Sequence, residues 1–143
     1  MNLSTYAEQK LIALLSILLL SSCDSSSDIN LMGAWRLDSV YDYHNGFAYT
    51  NKTPYPSEVH VYQPDSTFLR RGMGHENKYL FQVNENQLLI KETNGSPGAK
   101  LIIIRIDSTQ LALKKEKNLI FPGKNQERFE IRFFTRIPTD SVK

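Results

Sequence analysis

The stretch KYLFQVNENQLLI, from Lys78 to Ile90, decides the fold of this chain. Tyr79, Phe81 and Val83 alternate with Lys78, Leu80 and Gln82, and this period of two predicts a strand, because successive side chains of a strand point to opposite faces. The polar run NENQ at 84–87 predicts a turn, and residues 87–93 predict a second strand. Two strands joined by so short a connection run antiparallel. The centre of the chain is therefore predicted to be a β-hairpin.

The same alternation continues on both sides of this hairpin and predicts eight strands in all. On the first strand, Trp35, Leu37, Ser39, Tyr41 and Tyr43 share one face. On the last strand, alternation assigns Phe129, Ile131 and Phe133 to the interior. The turn signals QPDST, NGSPG and DSTQ lie between strands. The eight predicted strands cover 35–43, 58–62, 67–71, 78–83, 87–93, 99–106, a segment that begins at 111, and 129–134.

Eight consecutive antiparallel strands predict an all-β fold, an eight-stranded up-and-down barrel that removes the free edges of the sheet by closing on itself. A β-sandwich is the alternative, but its Greek-key order needs a long crossover. The only long connection, from Tyr43 to Ser57, joins the first two strands. This position favours the barrel.

The N-terminus has the pattern of an export signal. Leu11–Leu20 is an apolar run of the length typical of a signal peptide and too short to span a membrane. Leu20-Ser21-Ser22-Cys23 resembles the lipobox of bacterial lipoproteins, and Cys23 is the only cysteine of the chain. The resemblance implies cleavage before Cys23, a diacylglyceryl group on its sulfur and acylation of the new amino group, for example with palmitate. Two or three acyl chains hold a protein firmly on a membrane.

These features predict the domain organisation and the location. Residues 1–22 are expected to be the signal peptide, 23–30 the lipidated cysteine and a flexible tether, and 31–143 a single domain. We expect the protein in the bacterial cell envelope, with the membrane leaflet and any protein partner unknown. The formal net charge of +2 is too small to indicate a nucleic-acid partner.

The segment LMGAWRLDSV, from Leu31 to Val40, places Gly33 and Trp35 in a G-x-W pattern at the start of the first strand. With DSTF at 65–68 and RFEIRFFTRI at 128–137, it resembles the lipocalin-like domains of exported bacterial proteins. The resemblance implies that Gly33 allows a tight turn and that Trp35 closes the narrow end of the barrel. It also implies an arginine packed over that tryptophan, for which Arg132 and Arg136 are the candidates.

The barrel interior is wide enough for side chains or for one small ligand. In a lipocalin-like barrel the first long loop lies across the open end, and aromatic rings there can form a ligand lid. We therefore expect a small apolar or amphipathic ligand, or else a filled barrel that acts as an envelope scaffold or protein-interaction module. The candidate ligand-binding residues are Tyr41, Tyr43, Phe47, Tyr49 and Tyr55.

Catalysis has little support in the sequence. The chain has no Gly-rich phosphate loop and no C-x-x-C pair. Glu58 and His60 can face the same side of a strand, but two ligands do not make a zinc site. We therefore expect no metal, no cofactor and no enzymatic activity.

Overall fold

The computed structural model describes residues 30–52, 58–119 and 126–138, and every regular element in these ranges is a β-strand. The predicted signal peptide, Cys23 and Tyr55 lie outside the described residues. The nine strands are β1 (Gly33–His44), β2 (Phe47–Lys52), β3 (Val59–Tyr62), β4 (Thr67–Gly72), β5 (His75–Asn84), β6 (Gln87–Glu92), β7 (Pro97–Ile106), β8 (Gln110–Glu116) and β9 (Arg128–Ile137).

Eight of these strands form a closed ring. From β3 to β9 each strand pairs with the next one along the chain, β1 pairs with β3, and β9 pairs back with β1. The closing ladder is long, from Ala34 opposite Ile137 to His44 opposite Arg128, and all pairings are antiparallel. The predicted fold class, an eight-stranded antiparallel up-and-down barrel, is confirmed.

The ninth strand, β2, extends from this ring as a hairpin with β1. It pairs with the second half of β1, from Ser39 to His44, whereas β3 pairs with the first half, from Gly33 to Arg36. Asn45 and Gly46 form the turn, and both have positive φ angles, 48° and 90°. Two positive φ angles are the geometry of a type I′ turn, for which Asn-Gly is the preferred sequence. The prediction of a loop from Tyr43 to Ser57 was therefore wrong for residues 44–52.

The hydrophobic core lies toward one end of the barrel, where the β3–β4, β5–β6 and β7–β8 turns are found; we call it the closed end. Trp35 and Leu88 are fully buried there. The β4–β5 and β6–β7 turns and the start of β9 lie at the opposite end, which we call the open end. The core cluster consists of Leu31, Trp35, Leu37, Tyr62, Phe68, Phe81, Leu88, Leu101, Ile103, Leu111, Leu113 and Phe134.

The two faces of β9 are the reverse of the prediction. Phe134 and Glu130 are buried, whereas Phe133 is 39% exposed, so Phe129, Ile131 and Phe133 lie on the outer face. Alternation alone does not say which face is the inner one, and here both faces of the strand carry aromatic residues. The error extends to β1, because a register shift between Leu37 and Ser39 turns the second half of that strand over.

Candidate ligand-binding site

The open end of the barrel contains a small cavity of about 80 Å³ above the core. Its floor is apolar and its rim is charged. A wider cleft of about 340 Å³ lies beside the β4–β5 turn, and Arg70 lines both spaces. The cavity is lined by His60, Phe68, Arg70, Ile90, Ala99, Leu101, Leu113, Lys115, Glu130 and Arg132, and the cleft by Glu58, Arg70, Gly72, Met73, His75 and Asn77.

A network of ion pairs crosses the barrel below the rim. The guanidinium of Arg132 donates through Nε to Glu130 Oε1 at 2.7 Å and through an Nη atom to Glu58 Oε1 at 3.1 Å. Lys117 Nζ lies 2.9 Å from Glu130 Oε2 and also contacts Asp42. Glu130 is buried, and a buried carboxylate needs such partners because it has left water. The network therefore satisfies both of its oxygens.

The carboxyl groups of this network stay ionised to lower pH than usual. Burial by itself raises the pKa of Glu58, but its hydrogen bond with His60 and the positive charge of Arg132 outweigh this and lower the pKa overall. For Glu130, burial is likewise outweighed by Lys117 and Arg132, and the pKa is again lowered. Both side chains are therefore anions near neutral pH.

His60 is the most deeply buried ionisable side chain that lines the cavity. Burial lowers its pKa; the contact with Glu58 offsets part of this effect, and the positive charges of Arg132 and Arg70 add to it. The ring is therefore neutral near pH 7, and its Nε2 contacts the carboxylate of Glu58. A carboxylate can only accept, so we assign the proton to Nε2. Nδ1 is then a buried acceptor, and it has no hydrogen-bond partner within the described ranges.

Two of the cations that line the cavity lack a carboxylate partner among the residues that the structure describes. They are Arg70 and Lys115. Arg70 lies 5.7 Å from the ring centre of Tyr79, an interaction that leaves its N–H groups free to donate. The charge of Arg70 acts on Glu58, but neither Arg70 nor Lys115 forms an ion pair with a carboxylate in the described ranges, so both can donate to a ligand.

The predicted lid residues are divided between the two faces of the sheet. Tyr41 and Tyr43 lie on the outer face, with their ring centres 6.2 Å and 4.9 Å from that of Phe129. Phe47 and Tyr49 are 82% and 68% exposed. They pair with His44 and Asp42, so they lie on the face that continues into the barrel interior.

The structure therefore places Tyr41 and Tyr43 together but away from the cavity, and it leaves Phe47 and Tyr49 beside the open end. Sequence reasoning missed the charged lining residues, among them Arg70, Lys115, Glu130 and Arg132. The sequence pattern of β9 could have indicated two of them, because Glu130 and Arg132 alternate in step with the buried Phe134 and so lie on the same face of the strand.

The closed end has the arrangement that the resemblance implied. The Arg136 guanidinium lies 4.1 Å over the Trp35 ring, while Arg132 faces the cavity. Arg136 also donates to the carbonyl oxygens of Met32 at 2.7 Å and Asn30 at 2.9 Å, and Trp35 Nε1 donates to that of Leu31 at 2.9 Å. Gly33 has φ +112°, and a Cβ there would lie 3.1 Å from Arg136, so this position requires glycine.

No family model, curated protein or solved structure matches this chain. Within the described ranges, no group of three or more His, Cys, Asp and Glu side chains is placed to hold a metal ion. The same ranges contain no helix of the length and hydropathy that crossing a membrane requires.

Proposed function

We propose that this protein is an exported, membrane-anchored lipoprotein whose lipocalin-like barrel binds a small amphipathic molecule at its open end. The observation that supports the binding role is the joining of an apolar floor, formed by Phe68, Leu101 and Leu113, to a charged rim in one cavity. Small-molecule sites combine an apolar lining with a few polar groups in this way.

The dimensions limit the ligand. Drug-sized molecules occupy pockets of about 300–1,000 Å³. The inner cavity holds about 80 Å³, close to the volume of three water molecules at about 30 Å³ each. Only a short apolar group fits there, and the rest of the ligand extends from the charged rim toward the cleft of about 340 Å³.

A cavity-filling substitution tests the binding role. We expect native mass spectrometry of the full chain, purified from membranes, to show a bound mass that disappears on denaturation. Ala99 lines the cavity, and Ala99→Leu is expected to abolish this mass because the larger side chain occupies the space. Ala48 is exposed on β2, so Ala48→Leu is the matched control and keeps the bound mass. Retention of the mass by Ala99→Leu would refute a ligand in this cavity.

The chain enters the barrel at the closed end, opposite the cavity, and this position suits a lipid anchor at the N-terminus. Arg136 holds the backbone at Asn30 and Met32 at the closed end. Cys23 precedes Asn30 by seven residues, a span of at most about 25 Å. The anchor therefore attaches at the closed end, and the open end is free to face the aqueous compartment.

Cys23→Ala tests the anchor. We expect the variant to accumulate as an uncut precursor or as a soluble species, because its N-terminus carries no thiol to alkylate. Mass spectrometry of the wild type is expected to show a chain that begins at Cys23 with added acyl groups. A Cys23→Ala protein of normal mature size in the membrane fraction would contradict the proposal.

A second function, a protein-interaction module with a filled barrel, is favoured by the β1–β2 hairpin. Within the described ranges β2 pairs only with β1, so its other edge has no strand partner there, and all six of its residues are exposed. Such an edge can accept an extended peptide strand. A photo-crosslinking residue at Tyr49 is expected to capture an envelope protein if this function holds, whereas one at Lys91, exposed on β6, serves as control. Equal capture from both positions would argue against a specific interface.

A further inference from the structure

We propose that the ligand is an anion whose charged oxygen group is held by Arg70 and Lys115. This inference rests on the proposed binding function and specifies the chemical class of its ligand. The shared chemistry is that of a carboxylate or a phosphate, since both present oxygen acceptors to cationic donors.

The distribution of ion pairs at the open end carries the argument. Four cations lie in or beside the cavity, and three carboxylates face them. Asp42, Glu58 and Glu130 are all engaged, and in the described ranges their partners are Lys117, Arg132 and the neutral His60. Arg70 and Lys115 remain, and in the described part of the chain neither has a carboxylate within ion-pair distance.

The remaining charge selects the sign of the ligand. A cationic ligand would have to compete with Arg132 and Lys117 for carboxylates that these two side chains already pair. An anionic ligand meets two donors that no protein carboxylate occupies. Arg70 is suited to this role because its planar guanidinium can donate two parallel hydrogen bonds to one carboxylate or phosphate group.

The position of the two cations selects the orientation of the ligand. Arg70 lines both the inner cavity and the outer cleft, so this residue lies where the two spaces meet. Leu101 and Leu113 line the same cavity, and Leu113 precedes Lys115 by two residues on β8, toward the closed end. A molecule with its anionic group at Arg70 and Lys115 therefore directs its apolar part toward these residues.

The test compares four fluorinated probes that differ in charge. The full-length lipidated protein is placed in lipid nanodiscs, with empty nanodiscs as the blank, and binding is followed by fluorine NMR line broadening of the probes. The probes share a short trifluoromethyl-bearing chain that suits the small cavity, and they are 3,3,3-trifluoropropanoate, 3,3,3-trifluoropropyl phosphate, 3,3,3-trifluoropropan-1-ol and 3,3,3-trifluoropropylammonium. We expect at least one anionic probe to bind about tenfold more tightly than the alcohol, and the ammonium probe to bind least, because one charge-assisted pair in a partly exposed site has this order of effect. The tighter of the two anions assigns the ligand to the carboxylate or the phosphate class.

Charge-neutral variants identify the residues. Arg70→Gln and Lys115→Gln are each expected to lower the affinity for the anion by more than they change the affinity for the alcohol, and so to remove most of the preference for the anion. Lys100→Gln is the control, because Lys100 lies on β7 with the opposite parity to the cavity residues Ala99 and Leu101. An equal loss in the control would overturn the assignment to Arg70 and Lys115.

The outcomes separate this inference from the function on which it rests. Binding of the alcohol with no preference for either anion overturns the inference and leaves the proposed function intact. No binding of any probe, together with a bare mass for the native protein, overturns both.

Discussion

Arg136 ties the backbone of Asn30 and Met32 to the closed end of the barrel, and we predict how much this contact adds to the free energy of unfolding. The side chain packs over the Trp35 ring at 4.1 Å and donates two hydrogen bonds to backbone carbonyl oxygens of Met32 and Asn30. Arg136→Ala removes all three interactions and leaves the two carbonyl groups to water or to no partner. We expect the barrel to lose stability at the point where the chain enters it.

The magnitude follows from these contacts. A hydrogen bond from a charged donor contributes about 1.5–3 kcal/mol, and a cation–π contact at an exposed site about 0.5–1 kcal/mol. Arg136 is half-buried, so the lower ends of these ranges apply to the two hydrogen bonds and the ring contact, and the loss is about 3.5 kcal/mol. For a domain of this size, about 3–4 °C in Tm corresponds to each kcal/mol, which gives a decrease of about 12 °C.

Urea unfolding followed by Trp35 fluorescence measures this loss, because Trp35 is the only tryptophan of the chain and its ring is the one covered. Arg36→Ala is the matched control. Arg36 is exposed on β1, next to Trp35, and pairs with Asp38 at 3.4 Å, a surface contact that contributes less than about 1 kcal/mol to stability. Arg136→Lys keeps the charge without the forked donors and should fall between the two. If Arg136→Ala and Arg36→Ala lose equal stability, Arg136 does not act as a clamp.

Three further predictions concern the core, the hairpin and the pH response. Phe134→Ala should cost about 3–5 kcal/mol in urea unfolding, because Phe134 is fully buried and its removal leaves a cavity; a loss below about 1 kcal/mol would place this ring outside the core. Gly46→Ala should cost about 1 kcal/mol because Gly46 has φ 90°, and Gly72→Ala, at a glycine with no positive φ, is the comparison that should cost less. Burial lowers the pKa of His60 below its ordinary 6.5, so the unfolded chain binds the proton first and stability should fall as pH falls below about 6.5. His60→Phe should flatten this slope between pH 7.5 and 5.5, and an unchanged slope would show that another group titrates. Glu58 and Glu130, with pKa values lowered from 4.5, should contribute stability above about pH 4.5 that is lost as the pH falls further.

The central hairpin could be predicted because its local and global signals agree. Tyr79, Phe81 and Val83 alternate with polar or less buried neighbours, and the turn that follows has Glu85 at φ 53°, within a run of polar residues. The observed register pairs Asn84 with Gln87 and Tyr79 with Glu92, as the short connection requires. The short connections predicted consecutive antiparallel strands, and closure into a barrel followed because it removes the two free edges of such a sheet.

The β1–β2 hairpin was not predicted because the residues around its turn also have the composition of an aromatic loop. Asn45-Gly46 is a strong hairpin signal, but the many tyrosines around it favoured an aromatic lid, and the prolines Pro54 and Pro56 favoured a loop. Alternation is weak in β2 because all of its residues are exposed, so no apolar face marks it as a strand.

The charged interior could not be predicted from the rule that charges face water. Glu130 and Arg132 share the parity of Phe134, and either they or Phe129, Ile131 and Phe133 had to face inward. The interior tolerates the charged set because Lys117, on the neighbouring segment, and Glu58, across the barrel, complete the pairing of Glu130 and Arg132. Lys117 directly follows β8, the strand that pairs with β9, but Glu58 precedes Arg132 by 74 residues, so their contact exists only after the barrel has closed.

The apolar core fills the closed end of the barrel and the charged cavity lies at the open end. We therefore expect substitutions at one end to leave stability and ligand binding at the other end unaffected. Trp35 and Arg136 at the closed end contact neither Ala99 nor Lys115 in any interaction that the structure describes. Sites without shared partners have additive effects within about 0.5 kcal/mol. The double variant Arg136→Ala with Ala99→Leu should therefore show a stability change equal to the sum of the single changes, while only Ala99→Leu removes the bound mass. A coupling larger than about 1 kcal/mol, or loss of the bound mass in Arg136→Ala alone, would show that closing one end of the barrel shapes the binding site at the other.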